Sequence, residues 1–517
     1  MVESTQSRGD SGSSAVKRKC PPYQQYDDDY DDDDGTGSNS HNGINSSWNS
    51  LSEDVVHHIH ALMPLRDAAL AACVSRSFRR SWRHYPNLTF GMKQLGLIGK
   101  AATVDEGAMD LLSRIDHIFG NHSGIGVKTL ELHLPWNWNR LDTSYVDRFL
   151  KTAIAPGIQE LTVMLPSFRH CRTDYNFPCS LLSGESGRSI RYLKLTNSSF
   201  HPTAGLGCLT RLHLRSVRIG DDELGYFLSN SLALRHLLLS CCGEIICLKI
   251  PCLLRHLRSV EVFECEMLHA IESNAPDISS VDLGLGDQVD FSVSLGDGSS
   301  QVKQLRISPA SPSYALGKLP SITPGVEVLN ISLLPHEQVS TPMVPGKFHH
   351  LKYLNISLPA VSAVDEYDYL SLLAFLDASP ALETLVLRSA RIMNCVNRGC
   401  GRIHCDVSHL TREQEFRHGS LKNVTIYSFY SAESLIELTC RMLKHTASLE
   451  CLTLDTTYGY SRCSSCRSGR CFSMDTRDVL QAQKALVAIR RRIKPQVPCN
   501  VNLIVVEPCS SCHVSDN

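Results

Sequence analysis

The chain has 517 residues and carries 51 basic and 53 acidic side chains, so its net charge is close to zero. A chain this long exceeds one ordinary compact core, which predicts several domains or a repeat array. The balanced charge argues against a general binder of nucleic acids or membrane surfaces. No apolar run approaches the ~18 residues that a membrane span needs, and the N-terminus shows no apolar signal segment.

We therefore expect a protein of the nucleus and/or cytoplasm that has no nucleic-acid partner and no membrane partner. In those compartments the 21 cysteines are expected to be mainly reduced thiols. Residues 1–47 are polar and acidic, and their densest charge lies between Asp27 and Asp34. This composition predicts a disordered tail. A docking tail or a mimic of phosphate groups is the alternative.

Short helices are predicted after the tail. Ser50-x-x-Glu53 fits a capping box at the start of the first helix, and Pro64 ends that helix. A second short helix is expected to begin at Leu65. A third helix is expected to carry on one face Leu70, Cys73, Val74, Phe78 and Trp82. Three such helices bury little surface alone, so a partner is expected to cover the apolar side.

The stretch LSEDVVHHIHALMPLRDAALAACVSRSFRRSW resembles an F-box, although Ser52 stands where that family usually has proline. The resemblance implies docking on a Skp-type adaptor, and through it on a cullin, by packing of aliphatic side chains in a groove. The residues that the resemblance assigns to adaptor binding are Leu51, Glu53, Val55, Ile59, Leu62, Pro64, Leu65, Leu70, Val74 and Trp82.

An internal repeat predicts the fold of the central region. The unit is an aliphatic residue, two others, an aliphatic, one other and an aliphatic, and it recurs at intervals of 19 to 39 residues. Its thirteen copies start at Val127, Ile158, Ile190, Leu209, Leu234, Leu257, Ile278, Val302, Val326, Leu351, Leu382, Leu421 and Leu449. The interval resembles that of leucine-rich repeats.

Each unit is expected to supply a short strand whose aliphatic side chains enter a core shared with its neighbours. The fold class is therefore an α/β repeat solenoid, a leucine-rich-repeat horseshoe with a parallel sheet on its concave side. Residues between the aliphatics, such as His213 and Asn355, are expected to point to solvent on that side and to bind an unknown target. Cys242 and Cys265 are expected to be small buried side chains at turns.

The C-terminal region, residues 421–517, resembles the FBD-type region that follows the repeats in many plant F-box proteins. It is expected to contain a helix from about Ser434 to Lys444, a second helix from Asp478 to Lys494 and a last strand from Val501 to Val506. Two Cys-x-x-Cys pairs in it are weak zinc candidates, Cys463 with Cys466 and Cys509 with Cys512. We expect no cofactor.

The predicted domains are a tail (1–47), an F-box (48–90), a linker or N-terminal cap (91–124), leucine-rich repeats (125–420) and an FBD-like end (421–517). The resemblance implies a non-catalytic, substrate-recognition subunit of a cullin-based (SCF-type) E3 ubiquitin ligase. It has two rivals. One is a leucine-rich-repeat interaction scaffold that does not engage a ligase, which Ser52 favours. The other is a zinc-dependent binding protein built on the C-terminal cysteines.

Overall fold

The computed structural model describes residues 51–99, 103–134, 143–166, 175–284, 291–296, 301–334, 346–358, 361–362, 367–389, 392–393, 417–457, 474 and 476–508. The predicted acidic tail and the four candidate zinc cysteines lie outside these residues.

The helices in the described part of the chain are α1 (Glu53–Leu62), α2 (Leu65–Val74), α3 (Arg76–Trp82), α4 (Val104–Gly120), α5 (Ser144–Ala153), α6 (Glu185–Ser189), α7 (Asp221–Ser229), α8 (Pro312–Gly317), α9 (Leu319–Ile322), α10 (Leu373–Asp377), α11 (Glu433–His445) and α12 (Thr476–Ala488). Short 3-10 turns cover Cys179–Leu182, Tyr369–Leu372 and Lys494–Gln496, and a π-helical turn covers Ile489–Ile493.

The strands within the same residues are β1 (Asn87–Phe90), β2 (Thr129–His133), β3 (Glu160–Met164), β4 (Tyr192–Thr196), β5 (Arg211–Arg215), β6 (His236–Ser240), β7 (Cys247–Ile250), β8 (Ser259–Phe263), β9 (Ala270–Ser273), β10 (Ser280–Gly284), β11 (Ser292–Ser294), β12 (Gln304–Ala310), β13 (Val328–Leu333), β14 (Tyr353–Ser357), β15 (Val361–Ser362), β16 (Thr384–Arg388), β17 (Ile392–Met393), β18 (Asn423–Tyr427), β19 (Cys451–Asp455) and β20 (Asn502–Val506).

Fifteen of these strands form one parallel sheet in the order β1-β2-β3-β4-β5-β6-β8-β10-β12-β13-β14-β16-β18-β19-β20. Each of the thirteen repeat units supplies one strand, which confirms the predicted solenoid. The predicted last strand is β20, and the predicted helices near the C-terminus are α11 and α12. The strand β1, which directly follows the F-box helices, was not predicted.

The core follows from the register of this sheet. Leu130 pairs with Leu161, Leu161 with Leu193, and Leu193 with Leu212, so buried aliphatic side chains stack from strand to strand. Most strands of the sheet alternate partly exposed and buried side chains. One face of the sheet therefore enters the core, and the opposite face remains open.

Aromatic side chains extend the core away from the sheet near its first strands. The ring of Phe119 lies 5.3 Å from that of Phe149 in a stacked arrangement. The Phe200 ring lies 6.0 Å from Phe177 and 5.4 Å from Phe227, both edge-on. Helices and turns of neighbouring repeats are therefore joined behind the sheet by aromatic contacts as well as by aliphatic packing.

A second parallel sheet, of order β11-β9-β7, lies among the middle repeats and was not predicted. The β7 sequence, Cys247 to Ile250, buries Leu248 and Ile250 while exposing Lys249, and β9 buries Ile271 in the same way. This alternation of apolar and polar residues has the period of a strand. After β6, β8 and β10 the chain therefore returns to the next strand of the large sheet through a short strand, whereas other repeats return through a helix.

Two details of the predicted F-box helices are wrong. The helix α1 begins at Glu53 with Ser52 as its N-cap, so Ser50 and Glu53 do not occupy the two ends of a capping box. The chain also leaves the helical conformation at Ser75 (φ −132°, ψ 133°), which separates α2 from α3. Leu70 and Val74 consequently lie on α2, whereas Phe78 and Trp82 lie on α3.

The F-box helices are attached to the first strand of the large sheet by side-chain hydrogen bonds. The amide of Asn87 donates to the Ala61 carbonyl over 2.8 Å, and the Tyr85 hydroxyl donates to the Met63 carbonyl over 2.7 Å. Because Asn87 starts β1, which pairs with β2 in parallel, helices and repeats share one hydrogen-bonded framework. The described residues from Ser52 onward accordingly form one compact unit.

Candidate functional site

The predicted adaptor-binding residues divide into exposed and buried groups. Val55 and Leu62 on α1 and Leu70 and Val74 on α2 are exposed, and Leu62 and Val74 keep 74% and 86% of their accessible surface. Glu53 and Pro64 are also exposed, while Leu51 and Ile59 are partly buried. Exposed aliphatic side chains of this size on adjacent helices form an apolar surface that a partner can cover.

Leu65 and Trp82 belong to the interior instead, with 3% and 9% of their surface exposed. Leu65 is the first residue of α2 and packs into the hydrophobic core, and the Trp82 ring stacks on Tyr85 at 5.5 Å. Their assignment to an accessible docking face is therefore wrong. They hold the helices together, because short helices need buried anchors of their own before they can present other side chains.

A buried histidine organises the interior of the F-box. His60 donates a hydrogen bond from Nε2 to the Ala68 carbonyl over 2.9 Å, and its Nδ1 lies 2.9 Å from the Ser81 hydroxyl. The same hydroxyl lies 3.0 Å from Nδ1 of His57. Burial lowers the pKa of His60, the hydrogen bond to Ala68 opposes that shift, and the charge of His57 adds to it. The neutral imidazole thus ties α1 to α2 and α3.

The open face of the large sheet consists of the first, third and fifth side chains of its strands, of which a few, such as Thr162 and Thr196, are buried between their neighbours. His213 and Asn355 both lie on it, as predicted, but neither is freely solvated. Nδ1 of His213 lies 3.1 Å from the Tyr192 hydroxyl, and the Asn355 amide donates to Oδ1 of Asn330 over 3.1 Å. Burial, together with the charges of Lys194, Arg211 and His236, lowers the pKa of His213 to about 4.

Charge on the open face is sorted into bands along the sheet. The nine open-face side chains of β4, β5 and β6 include three cations and no carboxylate, and we call these three strands the basic band. Its cations are Lys194, Arg211 and Arg215. The open faces of β2 with β3, and of β8 with β10, each contain two carboxylates and neither lysine nor arginine. These carboxylates are Glu131, Glu160, Glu261 and Asp282.

The separation of basic and acidic side chains into bands was not predicted from the sequence, although the alternation of residues in each strand already placed these side chains on one face. A repeat-by-repeat comparison of the third and fifth strand positions would have shown it.

The turns at the ends of these strands repeat one backbone geometry. Asn197, Ser216, Cys241 and Glu264 follow β4, β5, β6 and β8 with positive φ angles between 51° and 56°. The next residue in two of these turns is a buried cysteine, Cys242 at 0% and Cys265 at 6% exposure. The prediction of small buried side chains at these turns is therefore confirmed. Within the described residues, no cluster of His, Cys, Asp and Glu is arranged to hold a metal ion.

Comparison with known proteins agrees with this architecture. Residues 48–89 match the F-box domain, and residues 118–510 match the family described as At1g61320/AtMIF1, LRR domain. A curated relative is the F-box/LRR-repeat protein At5g02910 of Arabidopsis thaliana. It is 24% identical over 217 residues, which cover 41% of this chain and 42% of the relative. The aligned region thus spans less than half of either protein.

The chain is thus a protein in which an F-box precedes a solenoid of leucine-rich repeats. It belongs to the At1g61320/AtMIF1 LRR-domain family, whose match covers most of its length. F-box/LRR proteins are in general non-catalytic adaptors, and an F-box in general binds a Skp-type adaptor. The FBD-like character of residues 421–517 stays a prediction. No helix in the described ranges combines the length and apolarity that crossing a bilayer requires.

Proposed function

We propose that this chain is the substrate-recognition subunit of a cullin-based (SCF-type) E3 ubiquitin ligase. Its F-box docks on a Skp-type adaptor, which connects it to the cullin, and its repeats hold the target protein. The chain itself needs no catalytic group in this role, because bringing a target close to the ligase raises its effective concentration there. We place this activity in the nucleus and/or cytoplasm.

The observation that carries the proposal is the exposed aliphatic surface of the F-box. Leu62, Leu70 and Val74 each keep more than half of their surface accessible, although each has an aliphatic side chain that packing would stabilise. Covering a large aliphatic side chain by a partner contributes about 1.5–3 kcal/mol. Three such residues can therefore dominate the affinity of a helix-in-groove contact.

The test is co-purification of the full chain with a Skp-type adaptor and a cullin. We expect wild-type protein to retain both, and a Leu62→Asp/Leu70→Asp/Val74→Asp variant to lose both, because each aspartate would place a charge in the apolar contact. Since all three residues are exposed, the variant is expected to fold, which circular dichroism can verify. Adaptor retention by this folded variant would contradict the proposed docking surface.

A matched control places the same charges elsewhere. Ile125, Ile246 and Leu253 are also exposed and lie outside the F-box. An Ile125→Asp/Ile246→Asp/Leu253→Asp variant should therefore keep the adaptor. The rival function, a repeat scaffold that engages no ligase, predicts a different result: wild-type chain would bind target proteins while leaving adaptor and cullin unbound. Ser52 favours this rival, because serine does not fix the backbone at the start of α1 as the proline of the F-box pattern would.

A further inference from the structure

The basic band is the most strongly segregated charge on the open face. Arg211 is partly neutralised, because its guanidinium lies 3.4 Å from the Glu160 carboxylate and 4.6 Å from the centre of the Tyr192 ring. In the described chain, neither Lys194 nor Arg215 forms an ion pair. Two cations that form no ion pair therefore lie beside the neutral His213, Arg215 on the same strand and Lys194 on the neighbouring strand β4, where its charge also acts on Glu131.

The surroundings of His213 show that the basic band is both cationic and partly shielded from water. His213 faces Lys194 and Tyr192 from β4 and His236 from β6, while Arg211 lies on its own strand. Each of these groups is cationic or neutral at physiological pH. An anionic group placed above His213 would therefore meet positive potential from the basic band, and a partly desolvated position strengthens that attraction.

Resting on the proposed function, in which the repeats hold the target, we propose that the basic band binds an acidic segment of the target that is flanked on both sides by basic residues. The acidic centre of this segment contacts Lys194 and Arg215. Its basic flanks meet Glu131 and Glu160 on one side and Glu261 and Asp282 on the other, where they compete with Arg211 for Glu160 and with Arg306, which lies 3.2 Å from Asp282. Complementary charge in three successive bands selects an ordered pattern of charges as well as a net charge.

The spacing of the strands sets the spacing of this pattern. Neighbouring strands lie about 4.8 Å apart, so the acidic bands lie about 10–14 Å from β5 on either side. An extended peptide advances about 3.3 Å per residue. The basic flanks should therefore lie about three to four residues from the acidic centre when the segment runs across the strands.

The proposal is tested with fluorescently labelled peptides and the full chain, by fluorescence anisotropy at low ionic strength. The matching peptide has a lysine pair, one Gly/Ser spacer residue, a run of about three aspartates, a second such spacer and a second lysine pair, which puts the lysines about three to four residues from the acidic centre. A scrambled peptide has the same composition with lysines and aspartates alternating. We expect the matching peptide to bind at least about tenfold more tightly, because only its charges coincide with all three bands.

Substitution of the basic side chains by alanine tests which residues contact the peptide. A Lys194→Ala/Arg215→Ala variant should weaken binding of the matching peptide by about tenfold, because two ion pairs are lost. The control is Lys352→Ala/Lys422→Ala, which removes the same charge from two lysines that precede β14 and β18 and pair with Glu327 and Glu383. Equal affinity for the two peptides, or equal weakening by the two variants, would overturn the proposal.

Adaptor co-purification with the same protein preparations separates the two proposals. If the chain retains the adaptor but binds the matching and scrambled peptides equally well, the basic band is refuted as a target site and the ligase role stands. Pattern-selective binding without adaptor supports the basic band as a peptide site and refutes the ligase role.

Discussion

Replacing Leu65 by alanine is expected to destabilise the F-box helices, whereas the same change at Leu62 should leave their stability nearly unchanged. The two leucines lie three residues apart, yet Leu65 retains 3% of its accessible surface and Leu62 retains 74%. A buried leucine that is truncated to alanine costs about 2–5 kcal/mol, because apolar burial is lost and a cavity is left behind. Truncation at an exposed site usually changes stability by less than about 0.5 kcal/mol.

A mid-range cost of about 3 kcal/mol at Leu65 corresponds to roughly a hundredfold rise in the opened population of the helices. Hydrogen exchange read by mass spectrometry over residues 53–82 measures that population directly, since protected amides exchange when the helices open. The Leu62→Ala variant should behave differently. It should leave hydrogen exchange unchanged and weaken adaptor affinity by about tenfold, because we propose that Leu62 lies in the adaptor interface.

Similar exchange rates in Leu65→Ala and wild type would show that Leu65 is not a structural anchor. Faster exchange in Leu62→Ala would show that Leu62 packs against its own chain, and would remove the basis for assigning it to the docking surface.

Three further predictions concern titration, thiol reactivity and close packing. Burial holds the pKa of His60 below its ordinary value of 6.5, so the unfolded chain binds a proton at this residue more readily than the folded chain does. The contribution of His60 to F-box stability is therefore complete above pH 6.5 and declines below it. Thermal unfolding at pH 7.5 and 5.5 measures this decline. Cys252 is exposed and Cys242 is fully buried with a raised pKa, so iodoacetamide should label Cys252 and leave Cys242 unlabelled in the native protein, as read by mass spectrometry. Gly187→Ala should lower the melting temperature, because the added Cβ would lie 1.9 Å from the Leu182 carbonyl oxygen; an unchanged melting temperature would contradict this packing.

The large sheet could be predicted because each strand repeats a local pattern. Alternating aliphatic residues, such as those at Leu212 and Leu214, have the same environment in every repeat, so the spacing alone identifies them. The strand β1 was missed because its sequence, Asn87 to Phe90, is a single short copy that follows helices of a different type. Its pairing with β2 is a tertiary contact that no local periodicity contains.

The F-box site was only partly predictable for a related reason. An apolar stripe indicates which residues avoid water, but it does not say whether this chain or a partner covers them. Leu65 and Leu62 are equally apolar, and the three-dimensional placement of α2 against the core separates their roles. The break at Ser75 likewise has no strong local signal, since no proline or glycine precedes α3.

Because the repeat sheet continues to the F-box through β1, it also fixes the distance between the F-box and the basic band. Four strand-to-strand steps separate β1 from β5, a path of about 19 Å at about 4.8 Å per step. Under the proposed ligase function, this path contributes to the distance between a target held on the basic band and the ligase bound to the F-box. Insertion of one additional repeat between β1 and β5 would displace the target by about 5 Å, and under the proposed ligase function it would change which lysines receive ubiquitin without altering the contacts on the basic band.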